Sequence, residues 1–272
     1  MREKEVPAMK YSFMSFSTPQ LSLTEMLDVA CRYGYDGIEP RLDAKHAHGI
    51  EVSTTAEQRR SIRDQARASG IQLACLATSL TYADPAKTDE MIRQTHERID
   101  LAGDLVTPVI RVFGGKIPEG TTREQAIGQL ASSLSEVAPH AVKRGVTLCL
   151  ETHDDWCDPT NVAAVLRSVN HRSIAANWDI MHPVRTGLAT INSSFEVLKP
   201  WIRHLHIHDG ADDGNGLVPI GTGKIDHRRA IELLKSIDFS GFLSGEWINW
   251  EPFDIHLPRE LATLKRYEQE LA

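Results

Sequence analysis

Four cysteines (Cys31, Cys75, Cys149 and Cys157) are too few and too irregularly spaced for a CxxC motif or a disulfide framework. They sit mostly inside apolar runs, which reads as reduced and largely buried thiols. No apolar stretch approaches the ~20 residues that a membrane span requires. The N-terminal MREKEVPAM also lacks the apolar centre of a signal peptide. A cytoplasmic protein with no membrane partner is the expectation. Basic excess is missing as well: Lys and Arg number 30 against 37 Asp and Glu, a formal net charge of −7. Such a chain carries no general field for polyanions, so nucleic acid is not an expected partner. No internal repeat, low-complexity tract or composition break marks a second domain.

What the chain has instead is alternation. Short apolar runs at 10–16, 36–42, 71–78, 109–115, 146–152, 173–179, 202–209 and 242–247 are separated by amphipathic segments. Several of those segments end in glycine (Gly34, Gly70, Gly145), as a left-handed helix C-cap requires. Strand and helix in this order imply parallel pairing through right-handed crossovers. Eight strand candidates in 272 residues predict a single parallel (β/α)₈ barrel over 10–272, preceded by a polar tail over 1–9. Barrels of this kind use about 250 residues; a doubly wound open sheet is the rival architecture. The Gly- and Asp-rich stretch 209–223 then becomes a loop on the active face.

Side chains along a strand alternate between faces. Leu148 and Leu150 alternate with Cys149 and Glu151, Ala176 and Trp178 with Asn177 and Asp179, and Leu205 and Ile207 with His204, His206 and His208. The aliphatic face must meet the helices, which turns the polar face into the barrel. Glu151, Asp179, His206 and Glu246 therefore converge from four successive strand ends, at the end of a barrel where active sites form. Burying them unpaired is expensive. Either an ion-pair network around Arg111 or one divalent cation answers the charge problem, and three carboxylates against one guanidinium favour the cation. Oxygen and imidazole donors suit Mn²⁺ first, with Mg²⁺, Co²⁺ or Zn²⁺ as alternatives.

The segments LCLETH, WDIMH, HLHIHD and FLSGEW, supported by YGYDGIE and GTGKID, resemble the xylose-isomerase-like sugar isomerase/epimerase superfamily in order and spacing along essentially the whole chain. Ketose 3-epimerases, inosose dehydratase and endonuclease IV belong to that group. The resemblance implies metal ligation by Glu151, Asp179, His206 and Glu246, with Glu151 and Glu246 also catalytic. It places His182 near substrate. His153, His208, Glu39, Arg111 and Trp247 are further substrate-binding candidates, against surface exposure for the two histidines, mutual pairing for Glu39 and Arg111, and ordinary packing for Trp247. His204 reads as a hydrogen-bonded barrel histidine. Some members are dimers or tetramers, so a homo-oligomer is compatible with the resemblance.

Departures from the group are informative. Thr78 and Ser79 stand where an endonuclease IV-like zinc cluster has a histidine, and RVFGG supplies none on the fourth strand. The arginine that follows the metal histidine in ketose 3-epimerases is replaced by DGADDG, and Cys157 stands in place of their second glutamate. The expected activity is a metal-dependent sugar isomerase or epimerase, acting on a keto sugar or related polyol through a metal-stabilised enediolate. An inosose-type dehydratase is the alternative. An endonuclease IV-like phosphodiesterase and a non-catalytic sugar-binding barrel rank below it. GTGKID offers a phosphate handle through its backbone amides, although an unphosphorylated small-molecule sugar is preferred. Trp156 and Trp250, like Trp247, are weighed between stacking on a sugar and packing, whereas Trp178 reads as core.

Overall fold

The computed structural model describes residues 9–211 and 216–271. The tail expected over 1–9 lies outside the described residues except for Met9, which is buried in the core. Residues 212–215 of the 209–223 loop also lie outside them.

The strands are β1 (Lys10–Met14), β2 (Gly37–Glu39), β3 (Gln72–Leu73), β4 (Leu76–Thr81), β5 (Val109–Phe113), β6 (Thr147–Glu151), β7 (Ile174–Asp179), β8 (Ile202–Ile207), β9 (Asp209–Gly210), β10 (Leu217–Val218) and β11 (Phe242–Gly245). The helices are α1 (Leu23–Tyr33), α2 (Ala56–Ser69), α3 (Thr88–Leu105), α4 (Arg123–Arg144), α5 (Pro159–Val169), α6 (Met181–Arg185), α7 (Ile191–Leu198), α8 (His227–Lys235) and α9 (Phe253–Glu270). Nine parallel strands form one nearly closed barrel in the order β3-β2-β1-β11-β8-β7-β6-β5-β4. Among the described residues, no helix is long and apolar enough to cross a membrane.

The third apolar run differs from expectation: it is two strands rather than one. β3 pairs with β2, β4 pairs with β5, and Ala74 and Cys75 form the break. Pro40 supplies a local reason. It has no N–H to give to a ladder, so β2 ends at Glu39. The gap is still stitched: Ala74 N–H donates to Ile38 O, Ala77 N–H to Pro40 O and Leu42 N–H to Ala77 O, at 2.9–3.0 Å.

Helix ends follow the sequence signals. Ser22, Thr55 and Thr122 each close a capping box with Glu25, Gln58 and Gln125. Gly34, Gly70 and Gly145 take the left-handed C-cap conformation, with φ of 82°, 74° and 68°. The outward strand residues Ile110, Val112, Leu148, Leu150, Trp178 and Leu205 join the helices in one large core. Inside the barrel, Cys75, Val109, Cys149 and Ala175 form a small separate apolar floor. Three of the four thiols are buried and Cys31 is exposed.

Candidate active site

Glu151 closes β6, Asp179 closes β7, His206 is the penultimate residue of β8 and Glu246 directly follows β11. The strand register sets Asp179 beside His206 and His206 beside Ser244. Thr152 clamps the neighbouring strand end by donating its hydroxyl to Asp179 O and accepting the Asp179 N–H, both at 3.0 Å. Asp179 Oδ1 accepts the backbone N–H groups of Met181 (2.8 Å) and His182 (3.0 Å) at the start of α6. The four side chains predicted from parity are buried, and each offers one ligand atom within 4.8 Å of the others. They form a candidate cage for a single cation.

The chemistry of the cage can be tested against its neighbours. His206 Nδ1 lies 2.6 Å from Glu151 Oε1 and 3.4 Å from Glu246 Oε2, and its Nε2 lies 3.0 Å from Glu39 Oε1. Burial opposes a charge on this imidazole, but Glu39, Glu151 and Glu246 raise its pKa well above the ordinary value. Burial likewise works against ionised Glu246, yet His206 and His208 hold its carboxyl down to about 2. Glu151 Oε2 is buried and accepts no hydrogen bond of good geometry; only the Arg111 Nε, 3.3 Å away, offsets its charge. Three carboxylates around one imidazole, with a single guanidinium beside one of them, fit a divalent cation held through Nδ1. The Nε2–H would then donate to Glu39, the usual outer support of a metal-bound histidine.

Glu39 and Arg111 do not pair with each other, contrary to one of the two roles expected. Glu39 spans His206 and His204, whose Nε2 lies 2.8 Å from its other oxygen. Those histidines hold it well below the usual carboxylate range despite burial. His204 is thus the hydrogen-bonded barrel histidine that parity suggested. Arg111 donates to Thr78 O at 2.9 Å, sets its Nε 3.3 Å from Glu151 Oε2 and lies 3.9 Å over the Phe113 ring. Glu39 and Cys75 lie with His204 in a second close group, but burial pushes the Cys75 thiol up and keeps it protonated.

Three more histidines line the cage on the α6 side. His208 Nε2 is 2.9 Å from Asp179 Oδ2, and His182 Nε2 is 3.6 Å from the same oxygen. The His182 and His153 rings meet edge to face at 4.4 Å, and His153 Nδ1 lies 2.9 Å from Asp154 Oδ1. Burial lowers the pKa of His182; it also opposes a charge on His153, but Asp154 and Glu151 outweigh it and raise that pKa. One ring of the pair therefore favours the neutral form and the other the charged form.

The tryptophans are mainly packing elements. Trp247 is buried, packs on His256 at 5.3 Å and lies so close over Gly245 that a Cβ there would meet the indole at 1.9 Å. Trp156 is buried over Gly114 and donates its N–H to Gly115 O at 2.8 Å. Gly114 is thereby explained, Gly115 by its φ of 80° and the Thr81 side chain beside it, and the buried Trp156 has no face free for a sugar. Trp178 packs on Phe195 in the core. GTGKID is not a free phosphate cradle either. The buried Asp209 carboxylate already accepts the N–H groups of Gly221, Gly223 and Ile225 at 3.0–3.1 Å, and the loop is stapled by the β9–β10 ladder.

Arg41 and His46 were not among the residues expected from sequence. The Ser15 hydroxyl accepts the Arg41 N–H at 2.8 Å and sits 2.9 Å from His46 Nδ1. Arg41 keeps the parity of Glu39 across Pro40, so alternation along the 36–42 run turns it inward as well.

The sequence model of the xylose isomerase-like TIM barrel matches residues 27–267. A 3-dehydroshikimate dehydratase of Bacillus anthracis is 24% identical, over 97% of this chain and 99% of its own. An L-ribulose 3-epimerase of Methylomonas sp. is 28% identical, over 86% of this chain and 81% of its own. A xylose isomerase-like TIM barrel protein of Mycobacterium smegmatis, solved in complex with magnesium, superposes with a TM-score of 0.76 at 16% identity, covering 97% of this chain and 98% of that one.

Proposed function

The chain belongs to the xylose isomerase-like TIM barrel family, and we propose that it is a divalent-metal-dependent epimerase or isomerase of a small polyhydroxylated ketone. The observation that carries this reading is the bracketing of His206 by Glu151 and Glu246 inside a buried four-residue cage at the barrel mouth. A cation held by Glu151, Asp179, His206 and Glu246 would supply a Lewis acid for the carbonyl oxygen and for the charge that develops there. Mn²⁺ or Mg²⁺ suits this oxygen-rich set, and the magnesium complex of the M. smegmatis relative is in keeping with it.

One of the two glutamates removes the proton from the carbon beside the carbonyl. The other returns a proton to the opposite face, which epimerises, or to the adjacent carbon, which isomerises. Asp179, fixed by two backbone N–H groups and His208, keeps its geometry throughout, and His206 is oriented by Glu39. His153 and His182 face the same space and can exchange protons with substrate hydroxyls.

Dehydration is the second reading, favoured by the His153–His182 pair and by the dehydratase relative that aligns with nearly the whole chain. Here a glutamate takes the proton, a C=C bond forms, and the β-hydroxyl leaves as water with a proton from His153. Incubation of the Mn²⁺-loaded protein with ketoses and keto cyclitols in D₂O tests both. Deuterium entering the carbon beside the carbonyl supports enolisation. An ultraviolet-absorbing enone without a stereoisomer selects dehydration, and neither exchange nor enone on any ketone sinks both.

A further inference from the structure

Opposite the cage, the barrel mouth carries positive charge. Arg41 and Arg111 are both register partners of Ala77, one on each side of it. Their backbones thus lie two strand spacings apart, roughly 10 Å, at one height and on one face of the sheet. Both reach for the same strand: Arg111 donates to Thr78 O, and Arg41 Nη2 donates to Ser79 Oγ at 2.6 Å. Ser79 is the exposed residue of β4, so the Arg41 guanidinium lies at the open mouth.

Among the described residues, no carboxylate neutralises that guanidinium directly. Its remaining contacts are the carbonyls of Leu42 and Ala77, and among the described residues it makes no ion pair. The carboxylates that lie nearest in charge terms are otherwise engaged: Asp43 pairs with Arg98 at 2.9 Å, Glu51 accepts the Asp43 N–H, and Glu246 belongs to the cage. Burial and then the Arg111 charge push Arg41 down to about 10, against the pull of these three. His46 sits beside it, its pKa lowered by burial and by Arg41. A half-buried guanidinium next to another one, with only neutral partners, is an arrangement that an incoming anion relieves.

We propose that the substrate carries a carboxylate, and that Arg41, backed by Arg111 and Ser79, receives it across the mouth from the metal cage. This rests on the reading of the cage as a site for enolising a ketone, and it narrows that substrate to a keto acid. Planar, bidentate recognition is what a guanidinium offers a carboxylate. The other candidate anion site, the amides of GTGKID, is filled by Asp209.

Calorimetry on the Mn²⁺-loaded protein with a cyclic polyhydroxy keto acid, its primary amide and the matching phosphate monoester tests the assignment. The acid should bind about tenfold or more tighter than the amide, and Arg41→Gln should bring the two within about threefold, with Arg41→Lys in between. Equal binding of acid and amide, binding of neither, a preference untouched by Arg41→Gln, or a phosphate tighter than the acid would each overturn it. Circular dichroism and Mn²⁺ affinity of the variants report on folding independently. The two readings fail separately. Deuterium entering a neutral ketose with no acid preference leaves enolisation standing and removes the carboxylate. Acid preference with no deuterium entering any ketone does the reverse.

Discussion

On the β6–β11 side of the mouth, Glu151, Glu246 and the Glu39 carboxylate reaching across from β2 lie within 3.4 Å of one imidazole, whereas on the β2–β5 side two guanidiniums flank Ala77 with mostly carbonyl and hydroxyl partners. Both sides are built on strand ends over the same small apolar floor. The acidic side is internally connected: Asp179, His206, Glu39 and His204 each satisfy a neighbour, and the surplus is negative charge. The basic side is loosely connected, and its surplus is positive. Arg111 and Glu151, 3.3 Å apart, and Glu39 with its two histidines bridge them. A cation and an anionic group on one substrate would settle both surpluses together, which neither side achieves alone.

The sharpest way to break the acidic side is Glu151→Gln. It removes a ligand, a proton carrier and the partner of Arg111 in one change. Deuterium exchange at saturating Mn²⁺ should fall by about 10³-fold or more. Exchange within tenfold of the parent would show that Glu151 carries no proton. Next in size is Glu39→Gln. A neutral amide can accept from only one of His204 and His206, so His206 loses its orientation and basicity. Mn²⁺ affinity, measured by titration calorimetry, should drop about 10- to 100-fold with the fold intact. An unchanged affinity would be evidence against Glu39 supporting the ligand.

The acidic side also predicts how stability follows pH once metal is stripped by chelation. Glu246 has its pKa lowered from 4.5 to about 2, so its contribution is present above pH 4.5 and is lost as pH falls through 4.5 towards 2. His206 has its pKa raised, so its contribution is complete below about 6.5 and is lost as pH rises through the raised value. Melting temperature of the stripped protein should therefore decline on both flanks. Saturating Mn²⁺ should remove the alkaline decline, because a metal-bound imidazole is already neutral. It should also raise stability by about 2.7 kcal/mol at a hundred times Kd. Parallel alkaline slopes with and without Mn²⁺ would argue against His206 as a ligand.

The contrast between the sides also explains what the sequence could convey. β6, β7, β8 and β11 are each a single unbroken strand, so face alternation carried Glu151, Asp179, His206 and Glu246 to one mouth without knowledge of any contact. On the other side the chain breaks twice, at Pro40 and at Ala74–Cys75. Arg41 keeps the parity of Glu39 across the first break, so alternation turns it inward too, but no motif marked it. Glu39 was visible but not its partners, since His204 and His206 are more than 160 residues away. Loop chemistry was left open for a related reason. GTGKID resembles an anion cradle locally, and only the fold brings the Asp209 carboxylate to occupy it.

The smallest expected effect probes the loosely connected side. Ser79→Ala removes the hydrogen bond that the Arg41 guanidinium donates to the Ser79 hydroxyl and leaves both arginines and the whole cage in place. A net contribution of about 1.5 kcal/mol, the low end for a bond to a charged group, corresponds to roughly a tenfold change. Binding of the keto acid should weaken by that order, while the amide, which brings no negative charge to the guanidinium, should change less. Mn²⁺ affinity should not move, because Ser79 touches no residue of the cage. The comparison between acid and amide matters more than either value, since a general loosening of the mouth would weaken both alike. If the acid alone loses affinity, Arg41 is held ready by Ser79. If both lose it equally, β4 shapes the mouth without selecting charge.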